Sequence, residues 1–230
     1  MNYRASNMRP IFTPDHSLKE SMHLMKSAGL RSFFPDGIRP RQFVDKVNAY
    51  KIVEHQNRGE KKRITLIASI SRDRIFQTFL SIIGALKDDV SMKLHGSHRM
   101  KAHENAPPLK RKDLYRPIAE SWLLEDGIED LVTHDGCTSI TLKCKGSRVR
   151  LDEHKLLQIS GKRWEMLEAM LIQQGILRDD RIRTVETVPH FHYTSDAFEN
   201  TFEKFKTLVM ADDWQQQQPE DFDDDDFLSV

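Results

Sequence analysis

The sequence predicts an α+β fold, a two-layer sandwich of a mostly antiparallel sheet with helices on one face. Three observations carry the prediction. A strand–helix–strand unit over residues 63–97 holds the densest apolar matter in the chain. A strand-like hairpin follows over residues 138–159, turning at Lys145-Gly146-Ser147. Two amphipathic helical segments, over residues 161–175 and from Ser195 onward, are interspersed with the strands. A split βαβ order of the ferredoxin-like sort is one topology that fits.

In the central unit, Ile64, Leu66, Ala68 and Ile70 alternate with Thr65, Ile67 and Ser69, as in an interior strand. Ser71 is suited to cap a helix, with Asp73 near the positive end of its dipole. Ile75, Phe76, Phe79, Leu80, Ile82, Ile83 and Leu86 then form a wide apolar stripe. Val90, Met92 and Leu94 alternate with Ser91, Lys93 and His95 as a half-buried strand. The loop expected over residues 98–112 contains Pro107-Pro108 and the basic run Lys110-Arg111-Lys112. A strand is expected over residues 118–124, then a helical turn over residues 128–132. In the hairpin, the second strand is expected to run unbroken over residues 149–159. A final strand is expected over residues 181–193. The last helix carries Phe198, Phe202, Phe205 and Leu208 on one face.

Only 38% of residues are hydrophobic and 30% are charged, which implies one packed core with solvated extensions. The division expected is a basic, partly helical N-terminal extension over residues 1–62, a core over 63–210 and a disordered acidic tail over 211–230. In the extension, helices are expected over residues 16–29 and from Pro40 through Phe43, Val44, Val47, Tyr50 and Ile52. Lys+Arg and Asp+Glu both number 35. The balance conceals an asymmetry, because Asp212, Asp213, Glu220, Asp221 and Asp223 to Asp226 are acidic and no Lys or Arg follows residue 211. Subtracting those 8 acids leaves the preceding residues at +8, a basic body bearing an acidic tail.

The opening MNYRASNMRP lacks a signal peptide's apolar run, and no apolar stretch approaches the roughly 20 residues that span a bilayer. A cytoplasmic protein is therefore expected, without membrane contact and with Cys137 and Cys144 both free.

The chemistry is less legible. No glycine pattern fits a phosphate loop. His190 and His192 would project to one face of a strand, but no paired zinc-ligand spacing is present, and neither cofactor nor metal is expected. Asp152 and His154 would share a strand face, with Glu153 on the other. Together with His134 and Cys137 they define the alternative reading, a small enzyme. The leading reading is a non-catalytic binding or adaptor module. Lys110, Arg111 and Lys112 in the loop, and Lys143, Lys145, Arg148 and Arg150 around the hairpin turn, would contact an anionic partner, a nucleic acid or an acidic protein surface.

Gln215 to Gln218, Pro219, and then Asp221-Phe222-Asp223-Asp224-Asp225-Asp226-Phe227 resemble the C-terminal end of bacterial single-stranded-DNA-binding proteins. In that family a Gln/Pro/Gly-rich linker leads to an acidic, aromatic tip that docks into basic pockets of partner proteins. The resemblance implies that Phe222 and Phe227 contact a protein. It covers about a dozen residues, and this chain continues with Leu228-Ser229-Val230 where the family ends on an aromatic carboxylate. The rest of the chain does not look like that family's OB-fold.

Overall fold

The structure is a computed structural model that describes residues 9–10, 37–41, 44, 48–55, 63–87, 89–97 and 108–210. Its strands are β1 (Arg9–Pro10), β2 (Ile38–Pro40), β3 (Ala49–His55), β4 (Arg63–Ser69), β5 (Asp89–Gly96), β6 (Leu109–Tyr115), β7 (Thr138–Cys144), β8 (Ser147–Leu151), β9 (Leu156–Gly161), β10 (Leu177–Arg178) and β11 (His190–Thr194). Its helices are α1 (Ile75–Gly84), α2 (Arg116–Leu123), α3 (Ile128–His134), α4 (Trp164–Gln173) and α5 (Asp196–Met210). An eight-stranded sheet has the order β10-β3-β4-β9-β8-β7-β5-β6, and a three-stranded sheet has the order β1-β11-β2. All pairings are antiparallel except β10 with β3.

Alternation along the strands sorts side chains into two faces. One cross-strand row runs Met92, Leu142, Val149, Ile159, Leu66 and Ile52. The next runs Leu94, Ile140, Leu151, Leu157, Ala68 and Tyr50. Against these rows lie Phe76, Phe79, Ile82 and Ile83 of α1, Leu131 of α3, Leu167 and Leu171 of α4, and Phe198, Phe202 and Phe205 of α5, in one buried cluster. That packing is the α+β sandwich the sequence predicts. Among the described residues no helix is long and apolar enough to cross a membrane. Both cysteines are free and buried.

The order departs from a ferredoxin-like one. β4, α1 and β5 form a crossover, but β9, β8 and β7 all lie between its two strands, where a split βαβ unit admits one. β3 pairs with β4 over its whole length, and β2 joins β11, so the folded body takes in residues before Arg63. The helix that the sequence predicts through Tyr50 and Ile52 is instead a strand over residues 49–55. Its β-branched and aromatic members, Tyr50, Ile52 and Val53, lie beside an interior strand, and tertiary pairing overrides the helical period.

Other elements also differ from their sequence prediction. Residues 118–123 fall in α2, not a strand, with Leu124 as its C-cap, and Pro117 stands in its first turn, where a missing N–H costs nothing. Lys110, Arg111 and Lys112 lie on the edge strand β6, not in a loop. Residues 149–159 are two strands reversed by a tight turn over residues 152–155. Of residues 181–193, only the last part is a strand, preceded by a single helical turn at Val185–Thr187. Val209, not Leu208, completes the buried face of α5. The helix expected over residues 16–29 and the acidic tail lie outside the described residues.

Candidate functional site

The sheet face away from the helices is where alternation puts the basic side chains. The row Lys110, Lys93, Thr141, Arg150, Gln158, Ile67 and Lys51 crosses from β6 to β3. The adjoining row is Ser91, Lys143, Arg148, Ser160, Thr65 and Val53. Six basic side chains from five strands thus share one surface. Lys143 is exposed and the other five are half-buried. Lys93 and Lys51 join residues that the sequence alone singles out, because only the register reveals them as neighbours.

The remaining predicted residues are less concentrated. Lys145 is exposed in the β7–β8 turn, where Gly146 has φ 85°. Arg111 is in register with Met92, so it lies on the core side of the edge strand. Lys112 is exposed beside Asp113, whose φ is 52°. Phe222 and Phe227 lie outside the described residues.

Arg150 and Lys51 each face an acid from a neighbouring segment. Arg150 Nη2 donates to Glu153 Oε2 at 2.9 Å. Burial opposes ionisation of Glu153, but Arg150 and His154 outweigh it and hold the carboxyl down at about 2. Lys51 Nζ lies 3.7 Å from Glu186 Oε1, which brings the Val185–Thr187 turn against the β3 end of this face.

A second constellation sits at one end of the sheet, where the β8–β9 turn and the start of β7 meet β11. The turn owes its shape to Asp152. Its Oδ1 accepts the Leu156 N–H at 2.8 Å, its Oδ2 accepts the Gln158 amide at 2.9 Å, and Lys155 takes a left-handed φ of 60°. Lys155 is buried and donates to the Thr138 carbonyl at 2.7 Å. Burial pulls its amine down to about 8, against the opposing pull of Asp135 and Asp152. The turn presents His154, with Nδ1 3.7 Å from Asp152 Oδ2. Burial disfavours the imidazolium, yet Asp152, with Glu153 and Glu186, outweighs that effect and raises its pKa above its ordinary value.

His190 and His192, two apart on β11, complete a triangle with His154. The ring centroids are 4.8, 5.1 and 4.9 Å apart. His190 Nδ1 faces the Val188 carbonyl at 2.7 Å, His192 Nδ1 faces the Gly136 carbonyl, and their Nε2 atoms are 3.0 Å apart. Gly136 and Gly37 are in direct backbone contact beside Tyr193, so a Cβ at either position would strike main chain. That close approach is what seats His192 on the Gly136 carbonyl. Glu186 also reaches this neighbourhood, its carboxylate lying within 4.8 Å of donor atoms of Asp152 and His154.

No family model, curated protein or solved structure matches this chain.

Of the residues in the enzyme reading, Asp152 and His154 stand beside each other, and Cys137 lies near Lys155 of the same turn. His134 lies 4.0 Å from Asp130 along its own helix. Cys137 is fully buried. The H-x-H pair does share a face, as its spacing predicts. His154 joins it from 36 residues away in sequence, a separation that no ligand-spacing rule covers. Glu186 carries no sequence signal at all.

Proposed function

We propose that the protein is a non-catalytic binding module whose basic sheet face, opposite the core helices, takes a polyanion. The observation that supports this is the register, which stacks Lys110, Lys93, Arg150, Lys51, Lys143 and Arg148 into two adjoining rows. Cations fixed on strands are spaced about 4.8 Å apart across a sheet. A surface of that kind neutralises phosphates without reading bases, and among the described residues the two rows include no aromatic side chain for stacking. The acidic tail, with Phe222 and Phe227, is assigned to a protein partner. It also competes with external polyanions for the basic body, since attachment to the same chain gives effective concentrations on the order of mM.

The test is fluorescence anisotropy with labelled single-stranded DNA, and separately with heparin, across a salt series. Lys143→Ala with Arg148→Ala should flatten the log–log salt slope for single-stranded DNA by roughly 0.7 for each phosphate that is no longer neutralised. Deleting residues 212–230 should tighten binding at low salt, and the gain should fade as the Debye length shortens to about 8 Å. Unchanged slopes in the double variant refute the surface. Equal salt-dependent affinities with and without the tail refute the competition.

A further inference from the structure

We propose that His154, His190 and His192 form a binding site for a divalent first-row transition-metal ion, with Glu186 as the carboxylate that closes it. This goes beyond the polyanion reading and stands independently of it. The argument begins with protons. A backbone carbonyl only accepts, so the ring nitrogen facing it must carry the hydrogen. His190 Nδ1 and His192 Nδ1 both face carbonyls, of Val188 and Gly136. In the neutral rings, both Nε2 atoms are therefore lone-pair acceptors, and they point at each other across 3.0 Å. Two acceptors at that distance repel unless a cation sits against both. Two imidazole nitrogens on one tetrahedral zinc ion, each bonded at about 2.0–2.1 Å, lie about 3.3 Å apart. The observed separation is near the one a shared metal requires.

The third ring fits the same pattern. The Asp152 carboxylate stands on the Nδ1 side of His154, which leaves His154 Nε2 as the ligand atom. Asp152 is itself fixed by the Leu156 N–H and the Gln158 amide, so it orients the imidazole from a rigid support. A metal-bound histidine usually has its other nitrogen held by a carboxylate or a carbonyl. Here each of the three rings has such a partner. Ligand atoms of the three histidines lie within 4.8 Å of one another, and Glu186 lies as near to His154 and Asp152, in a grouping that does not take in His190 or His192. Three imidazoles and a carboxylate make a borderline donor set, suited to zinc and its neighbours and unsuited to magnesium or calcium. The ligands come from two segments, the β8–β9 turn and the stretch from Glu186 through β11, so a bound ion would staple one to the other.

The experiment uses the full chain, free of any polyhistidine tag and stripped with chelator. Zinc alone is titrated by calorimetry, and cobalt alone by visible absorption. The expected result is about one ion per chain, an intense cobalt spectrum of the four-coordinate type, and a melting temperature raised by either metal. His154→Gln, His190→Ala and His192→Ala should each weaken zinc at least about 100-fold, and Glu186→Gln should weaken it less. His154 stands in a surface turn, so its variant keeps the test open if β11 variants fold poorly. Several outcomes overturn the proposal. They are no uptake by the unmutated chain, a cobalt spectrum like that of the aqueous ion, or uptake that survives loss of all three histidines. A proton shared between His190 and His192 would give the first of these.

Discussion

Asp152→Ala should be the most costly small change at the β8–β9 turn, and the cost follows from what the carboxylate holds. Asp152 is 2% exposed, so water does not stand in for it. Truncation leaves the Leu156 N–H and one Gln158 amide hydrogen without the acceptors they have at 2.8 and 2.9 Å. An unsatisfied buried donor costs about 1–3 kcal/mol, and the Gln158 side chain recovers part of its share by rotating. The expected loss is therefore about 2–4 kcal/mol. Asp152→Asn keeps an oxygen for the Leu156 N–H but faces one amide with another. It should cost about half as much. Urea unfolding of the chelator-treated chain near neutral pH measures both, with the m-value checked for constancy. An alanine cost under about 0.5 kcal/mol would refute the hydrogen-bond reasoning. So would an asparagine variant as unstable as the alanine one, since it would show that the bond to Leu156 contributes nothing.

Phe79 is fully buried in the middle of α1's apolar face, and Phe79→Ala should cost about 3–5 kcal/mol by the same titration; a loss below about 1 kcal/mol would mean that α1 does not pack on the sheet. Tyr50 donates its hydroxyl to Glu168 at 2.7 Å, and burial together with that carboxylate raises its pKa to about 12. A folded pKa above the unfolded value near 10 means that its stabilisation is complete below about pH 10 and is lost as pH rises through about 12. Ultraviolet titration of the native chain should show a late-ionising phenol that disappears in Tyr50→Phe, and persistence of that phase in the variant would refute the assignment.

The layers of the fold are legible because burial writes a period into the sequence. The alternation of β5 and the helical stripes of α1 and α5 come from a single buried face, whereas β7 is buried at six of its seven positions and alternates only in residue type. What stays hidden depends on neighbours. The turn over residues 152–155 lacks Gly, Pro and Asn, and Asp152 builds it by bonding the Leu156 N–H, an interaction that exists only once the strands pair. Pro117 disfavours a central strand, but the same residue suits the start of a helix, and that second property is the one the fold uses. The basic residues are visible as types, but their assembly into two rows requires the register. The histidine triangle needs more still, because His154 meets β11 only after the chain has passed through α4 and returned.

The crossover from β4 through α1 to β5 has a consequence for synthesis. When β5 leaves the ribosome, the strands that will separate it from β4 do not yet exist. The final sheet leaves a slot about 19 Å wide between the two, counted as four strand spacings. β5 lacks its inner neighbour until β7 is made and β4 lacks its own until β9 is made, and until then each keeps a bare edge that another chain could template. Translation at about 5–20 residues per second puts some 3–13 s between Gly96 and Gly161. During that interval the apolar face of α1 has only part of its eventual floor. Within the β7–β8–β9 meander, β7 closes the edge of β5 first and β9 closes that of β4 last. A nascent chain stalled before β7 therefore presents both inner edges, and one stalled between β7 and β9 still presents that of β4, with the apolar face of α1 only partly floored.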